Sequence, residues 1–180
     1  NDVRDIARKF GLGVADKKDS QDICFIHNGD YSSFVKNNSN IPFEYGDIIN
    51  MKGEKIGTHS GLFKYTIGQR KGLGISSTDP LYVIDIDPSR NVVVVGSESD
   101  LYSNDFEVSD VNLMAIDSLD NPREVTVKVR SSSIPVPAVI ASSKNGNVLV
   151  KLHKRQRAVT SGQSAVFYEN DILVAGGIIV

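Results

Sequence analysis

From residue 43 onward the hydrophobic residues fall into short runs bounded by turn formers, at 47–51, 81–87 and 92–96, then 125–130, 136–142, 148–152, 164–168 and 172–175. Runs of this length that alternate or stay apolar between Gly, Pro, Asn, Asp and Ser read as β-strands. Pro88-Ser89-Arg90-Asn91 separates two of them as a hairpin loop. Asn145-Gly146 does the same more strongly, because both residues tolerate positive φ and so fit the two-residue turn. Glu169-Asn170-Asp171 is a third turn. Many short strands with few helices predict small β-barrels or rolls.

The first forty residues have another texture. Val3, Ile6, Ala7 and Phe10 take the three-and-four spacing of an amphipathic helix, and Gly11 and Gly13 supply its stop. A second short helix is expected over 31–36 with Asp30 as its N-cap, and 37–42, polar and ending in proline, reads as a linker. The expected fold is therefore mainly β: a short helical N-terminal remnant over 1–40, a small central β-roll-like domain over 41–105 and a C-terminal β-barrel over 106–180. The last boundary is expected between 102 and 111.

A chain of 180 residues with 40% hydrophobic and 23% charged residues is an ordinary globular composition, with room for one domain or two small ones. No stretch approaches the ~18 apolar residues of a membrane span. The opening residues are too charged for a secretory leader. The one cysteine, Cys24, rules out a disulfide framework within the chain and fits a reducing, cytoplasmic setting. The first residue is not Met, and a helix is already in progress there, which makes a fragment of a longer protein the expectation.

Charge is unevenly spread. Between 123 and 163 lie Arg123, Lys128, Arg130, Lys144, Lys151, Lys154, Arg155 and Arg157 against the single acidic Glu124, a surplus of +7 that leaves −9 on the rest of a chain whose formal net charge is −2. Such asymmetry points to an acidic partner for one region. Lys151, His153, Lys154, Arg155 and Arg157 crowd one strand pattern. Exposed lysines also guard strand edges against pairing. A one-signed region on a barrel-like pattern favours nucleic acid, where phosphate contacts need only Lys and Arg in a stripe. The expectation is a binding face built by 123–163, with Arg130 and the serines after it adding hydrogen bonds to backbone or sugar.

Other chemistry is less defined. Cys24 reads either as a small buried hydrophobe or as a reactive thiol in a loop; its acidic neighbours Asp19 and Asp22 would raise its pKa, so reactivity would need activation from outside this segment. Residues 65–75, Tyr-Thr-Ile-Gly-Gln-Arg-Lys-Gly-Leu-Gly-Ile, read equally as a phosphate-cradling loop charged by Arg70 and Lys71 or as a turn with solvated bases. They are not a dinucleotide fingerprint, since the third glycine is absent. His59 and His153 are isolated, and no metal-ligand spacing occurs.

The order of motifs resembles the tRNA-specific 2-thiouridylases along essentially the whole chain. Lys18-Asp19-Ser20-Gln21-Asp22-Ile23-Cys24-Phe25-Ile26 is similar to that family's second-cysteine motif. Gly57-Thr58-His59-Ser60-Gly61 and the highly specific run 65–75 resemble its next signature, followed by Val129-Arg130, the stretch from Arg157 to Tyr168, and Gly176-Gly177-Ile178-Ile179. The resemblance implies an enzyme that adenylates the C2 oxygen of the wobble uridine of tRNA with ATP and then replaces that oxygen with sulfur carried as a persulfide.

 The ATP, with magnesium, would bind an N-terminal pyrophosphatase domain, of which 1–40 would be the tail; none is expected on this chain. Cys24 would be the catalytic cysteine that receives sulfur from a sulfur-relay protein or a cysteine desulfurase, and a second cysteine upstream would form a transient disulfide with it. Arg130, Ser131 and Gln163 occupy the positions that touch tRNA in the family, and Lys154 and Arg155 join them as candidate tRNA-binding residues. The chain departs from the family pattern at Ser131, where an aromatic residue is usual, and at Ser161, where proline is usual. The alternative is a non-catalytic RNA-binding β-barrel module.

Overall fold

The computed structural model describes residues 2–17, 34, 38 and 44–180. The chain divides into two compact units, 1–43 and 44–180.

In the first unit, α1 (Asp2–Lys9) carries acidic residues in its first turn and basic ones in its last, matching the helix dipole. It ends as the sequence predicts. Gly11 takes φ +65°, its N–H donates to the Arg8 carbonyl (3.0 Å), and the Leu12 N–H donates to the Ala7 carbonyl (3.0 Å). These are the paired bonds of a glycine-terminated helix. Arg8 ties the helix to the turn that follows by bonding both Asp5 (2.7 Å) and Asp16 (2.8 Å). The apolar stripe Val3, Ile6 and Phe10 is exposed. The helix expected at 31–36 lies outside the described residues apart from Phe34, which is helical. Asn38 is helical as well, within the stretch that reads as a linker, and its side-chain amide donates to the Phe34 carbonyl (2.9 Å).

The second unit is all β apart from short 3-10 turns. Its first part is a four-stranded sheet of β1 (Gly46–Asn50), β2 (Lys55–His59), β3 (Tyr82–Asp87) and β4 (Val92–Gly96), in the order β2-β1-β4-β3. β1 and β4 pair in parallel, and the other neighbours are antiparallel. Its core is Ile48, Val83, Val93 and Val95, covered by Leu73 and by Leu62, Tyr65, Ile67 and Ile75 of the long connection between β2 and β3.

The second part is a closed barrel of β5 (Tyr102–Leu113), β6 (Arg123–Lys128), β7 (Val136–Ser142), β8 (Val148–Arg157), β9 (Ser164–Glu169) and β10 (Ile172–Ile179), in the order β10-β5-β8-β7-β6-β9. Closure removes every sheet edge. Alternate residues point inward, so Val125 and Val127, Ala138 and Ile140, Val148 and Val150, and Ala165 and Phe167 fill one core. The turn at Asn145-Gly146 forms as expected, with φ +62° and +78°. Asn170 turns β9 into β10 at φ +53°. A small cluster of Tyr82, Leu101 and Ala158 joins the sheet to the barrel.

The fold is mainly β, with one short helix near the N-terminus, a separate small sheet and a C-terminal barrel, as the strand pattern predicts. Two strands, β2 and β5, have no counterpart in the sequence reading, and β8 runs on through the basic cluster to Arg157. No helix among the described residues is long and apolar enough to cross a membrane.

Candidate RNA interface at one end of the barrel

β6 and β8 each run antiparallel to β7, and β9 runs antiparallel to β6. The C-terminal ends of β6 and β8 therefore share one end of the barrel with the N-terminal ends of β7 and β9. That end carries the connections 129–135 and 158–163, and with them Arg130, Ser131, Lys154, Arg155 and Gln163, all exposed.

Arg130 is built into this end. In its turn the Ser133 hydroxyl donates to the Arg130 carbonyl (2.8 Å), and the Lys128 ammonium donates to the Ser131 carbonyl (2.9 Å). One guanidinium nitrogen of Arg130 donates to the Ala158 carbonyl (2.9 Å) and to the Thr160 hydroxyl (3.1 Å). This pins the stem and leaves the rest of a planar, five-donor fork facing solvent. Thr160 donates its own hydroxyl proton to the Ala158 carbonyl (3.0 Å). Ala158 is held at φ +53°, buried, with its N–H on the Leu101 carbonyl (2.8 Å). Gln163 is fixed through its backbone: its carbonyl accepts from Ile179 (2.8 Å), and its N–H donates to Thr160 (3.2 Å). Its side-chain amide projects from a held backbone. Arg155 reaches the Tyr102 carbonyl (3.4 Å).

The basic stretch does not form one face, which corrects the expectation of a surface built by 123–163. The stretch supplies three of the six barrel strands, so its charges go to both ends. Arg123, at the start of β6, forms a two-point ion pair with Glu169 at the opposite end; that carboxylate is held below its usual pKa by the Arg123 hydrogen bond. Lys144 sits in the β7–β8 turn, also at the opposite end. Arg157 faces the sheet, 3.6 Å from Glu98 and stacked over the Tyr82 ring at 5.7 Å. His153 lies 3.3 Å from Glu124.

The glycine-rich loop 65–75 is held from within. The Gly68 N–H donates to the Val83 carbonyl (2.8 Å), and the Val83 N–H donates to Gln69 (2.9 Å), so the loop adds itself to the edge of β3. The Gln69 amide accepts from the Thr66 N–H (3.0 Å) and donates to the Lys71 carbonyl (2.9 Å). Arg70 and Lys71 are exposed. His59 is buried at 1% exposure; its Nδ1 accepts from the Gly61 N–H (3.2 Å), so its Nε2 carries the proton donated to the Asn91 carbonyl (3.0 Å). That makes it a neutral structural pin. The Tyr65 ring meets it edge-on at 5.9 Å, and burial pushes the Tyr65 phenol up in pKa. Among the described residues no group of His, Cys, Asp and Glu could hold a metal ion. Cys24 and its motif lie outside the described residues.

Sequence reasoning counts Arg157 among the basic residues and includes Thr160 in a matching stretch, but it shows neither the contact of Arg157 with the sheet nor the bond of Thr160 to Arg130, because those partners are distant in the chain.

Three family models match the chain in succession: the tRNA methyl transferase HUP domain over 1–28, the tRNA methyl transferase PRC-barrel domain over 32–97 and the aminomethyltransferase beta-barrel domain over 103–179. The chain is 45% identical over 177 residues to tRNA-specific 2-thiouridylase MnmA 2 of Clostridium botulinum (strain Okra / Type B1), covering 98% of this chain and 50% of that protein. It is 46% identical over 179 residues to the MnmA 2 of Clostridium tetani (strain Massachusetts / E88), covering 99% and 50%. A third, MnmA 2 of Clostridium botulinum (strain Langeland / NCTC 10281 / Type F), is 47% identical over 177 residues, again covering 98% and 50%. The chain thus spans about half the length of the curated relatives it matches. Matched along nearly all of its length in this way, the chain belongs to the family of tRNA-specific 2-thiouridylases.

Proposed function

We propose that this chain serves a tRNA-uridine 2-sulfurtransferase, supplying its sulfur-carrying cysteine and part of its tRNA-binding surface. The observation that carries the reading is the convergence of Arg130, Ser131 and Gln163 on one barrel end, in a chain that belongs to this family. The division into 1–40, 41–105 and 106–180 follows the same reading.

The chemistry divides between two surfaces. At the barrel end, Arg130 offers its unpinned donors to phosphate oxygens, Gln163 offers an amide to a sugar or phosphate oxygen, and Lys154 and Arg155 add charge. Ser131 provides a hydroxyl where an aromatic residue would stack on a base. Cys24 accepts sulfur as a persulfide from a sulfur-relay protein or a cysteine desulfurase. Its terminal sulfur then attacks C2 of a wobble uridine whose oxygen, activated by adenylation, leaves as AMP, and the thiol of a second cysteine of the whole enzyme breaks the S–S bond, joining Cys24 in a disulfide and leaving the sulfur on C2. ATP with magnesium supplies that activation in the whole enzyme; no residue of this chain is assigned to hold them. The setting is the cytoplasm.

The test is tRNA thiolation by the whole protein carrying Cys24→Ser. Serine is nearly isosteric but cannot hold a persulfide, so thiolated tRNA should vanish while tRNA affinity stays within about twofold, since uncoupled sites a distance apart act independently. Thiolation at the wild-type rate would sink the assignment and leave a non-catalytic RNA-binding barrel as the better reading.

A further inference from the structure

A cleft of about 420 Å³ opens between β3 of the sheet and the start of β5 in the barrel. That volume suits a small planar ligand. Its walls are mixed: Ile67, Ile84 and Ile86 from the sheet side and Val159 and Ile179 from the barrel give apolar faces, and Ser103, Thr160 and Ser161 add hydroxyls. Two carboxylates line it, Asp85 and Asp105, and no Lys or Arg does. Asp85 spends one oxygen on the adjacent Ile86 N–H (2.8 Å). A slot with apolar faces whose charged groups only accept hydrogen bonds calls for a flat ligand that presents donors.

The cleft is continuous with the interface described above. Thr160, whose hydroxyl holds the Arg130 guanidinium, also lines its wall. A strand of RNA seated on Arg130 and Gln163 therefore passes its mouth. Among the bases, guanine alone carries two adjacent donors, N1–H and the N2 amine, on the edge exposed when it leaves a helix, and a carboxylate takes both at once. Adenine and cytosine each offer one amine there, and uracil one imide. We propose that this cleft receives an unstacked guanine of the bound RNA, with its ring between the isoleucines and its donor edge on Asp105 or Asp85. The inference rests on the reading that RNA docks at this end of the barrel.

The test uses fluorescein-labelled uridine pentamers with guanine, adenine, cytosine or inosine at the centre, titrated with this chain at low salt, beside a full tRNA transcript. The guanine pentamer should bind about tenfold tighter than the adenine one, the usual discrimination of a good two-point base contact. Inosine lacks the N2 amine and should lose most of that preference. Asp85→Asn with Asp105→Asn should bring the pentamers to within about twofold of one another, because each amide now offers a donor where the base needs an acceptor. Lys154→Glu with Arg155→Glu should instead weaken every pentamer alike and keep the preference for guanine. Equal affinity for all pentamers, with tRNA still bound and still weakened by the charge reversal, would overturn the guanine site alone. Binding of neither pentamers nor tRNA would overturn both readings. An arginine-containing peptide that binds in an Asp105-dependent way, where the guanine pentamer shows no preference, would reassign the cleft to a basic protein segment.

Discussion

Asp87 closes the β3–β4 hairpin with one carboxylate. It accepts from the Ser89 N–H (2.9 Å), the Ser89 hydroxyl (2.6 Å), the Arg90 N–H (3.1 Å) and the Arg90 guanidinium (2.6 Å). These donors, the Ser89 hydroxyl foremost, hold its pKa far below the usual carboxylate range. The folded value lies below the unfolded one. Its stabilising contribution is therefore complete above the ordinary carboxylate pKa and fades as pH falls through the folded value. Asp87→Asn should lower stability at neutral pH and flatten the acid limb of a stability–pH curve recorded by urea titration; an unchanged acid limb would show that the hairpin gains nothing from the charge. Gly46 tests the His59 pin. A Cβ there would stand 2.1 Å from the Asn91 carbonyl and 2.5 Å from His59 Nε2. Gly46→Ala should therefore destabilise the sheet by about 1–3 kcal/mol, read as a lowered urea midpoint, because backbone must move to admit the methyl. Residues of this kind were partly legible. Asn91, Asn145 and Asn170 stand in turns that their sequence neighbours announce, since Asn accepts positive φ. His59 was legible only as an isolated histidine, because its partners lie across the sheet.

β2 and β5 escaped the sequence pattern for different physical reasons. β2 is an edge strand of Lys55-Ile56-Gly57-Thr58-His59, with a single large apolar side chain and a core contact made by histidine. β5 buries Phe106 and Val108 but carries Asn104, Asp105, Glu107, Ser109 and Asp110 around them, so it reads as a polar boundary. It also breaks phase, because Asp110 at φ +48° lies where the register with β10 shifts. Such bulges bend a strand and help it close a barrel. β10 meets that bend with Gly176-Gly177, and a Cβ on Gly177 would lie 2.5 Å from the Ser109 carbonyl. Gly177→Ala should therefore cost about 1–3 kcal/mol by forcing apart the strands that close the barrel. The check is a denaturant titration; a midpoint matching the wild type would mean that β5 has room to yield. The strands that were legible, β4 and β7 above all, are those whose burial follows a regular alternation.

Across the whole second unit, the charge pattern narrows to a specific claim. Composition locates a basic region, but only the strand order reveals that Arg123 and Lys144 leave the end that bears Arg130, and that Arg157 turns to the sheet. Chain order cannot show this, because consecutive barrel strands carry their termini to alternate ends. What remains at the candidate interface is Lys128, Arg130, Lys154 and Arg155, with Ser131 and Gln163 as neutral donors. Binding through so few cations should show a correspondingly modest salt dependence. If Lys154 and Arg155 each neutralise one phosphate, reversing both removes about 0.7–0.9 per contact from the slope of log affinity against log salt. The acidic remainder of the chain then adds repulsion at low salt, where screening is weakest. Lys154→Glu with Arg155→Glu should thus lower both tRNA affinity and salt slope, whereas Arg123→Ala, at the far end, should lower stability and leave the slope unchanged. The measurement is tRNA binding by the whole protein over a salt series for the three proteins. A slope that falls for Arg123→Ala but holds for the double reversal would place the RNA at the other end of the barrel.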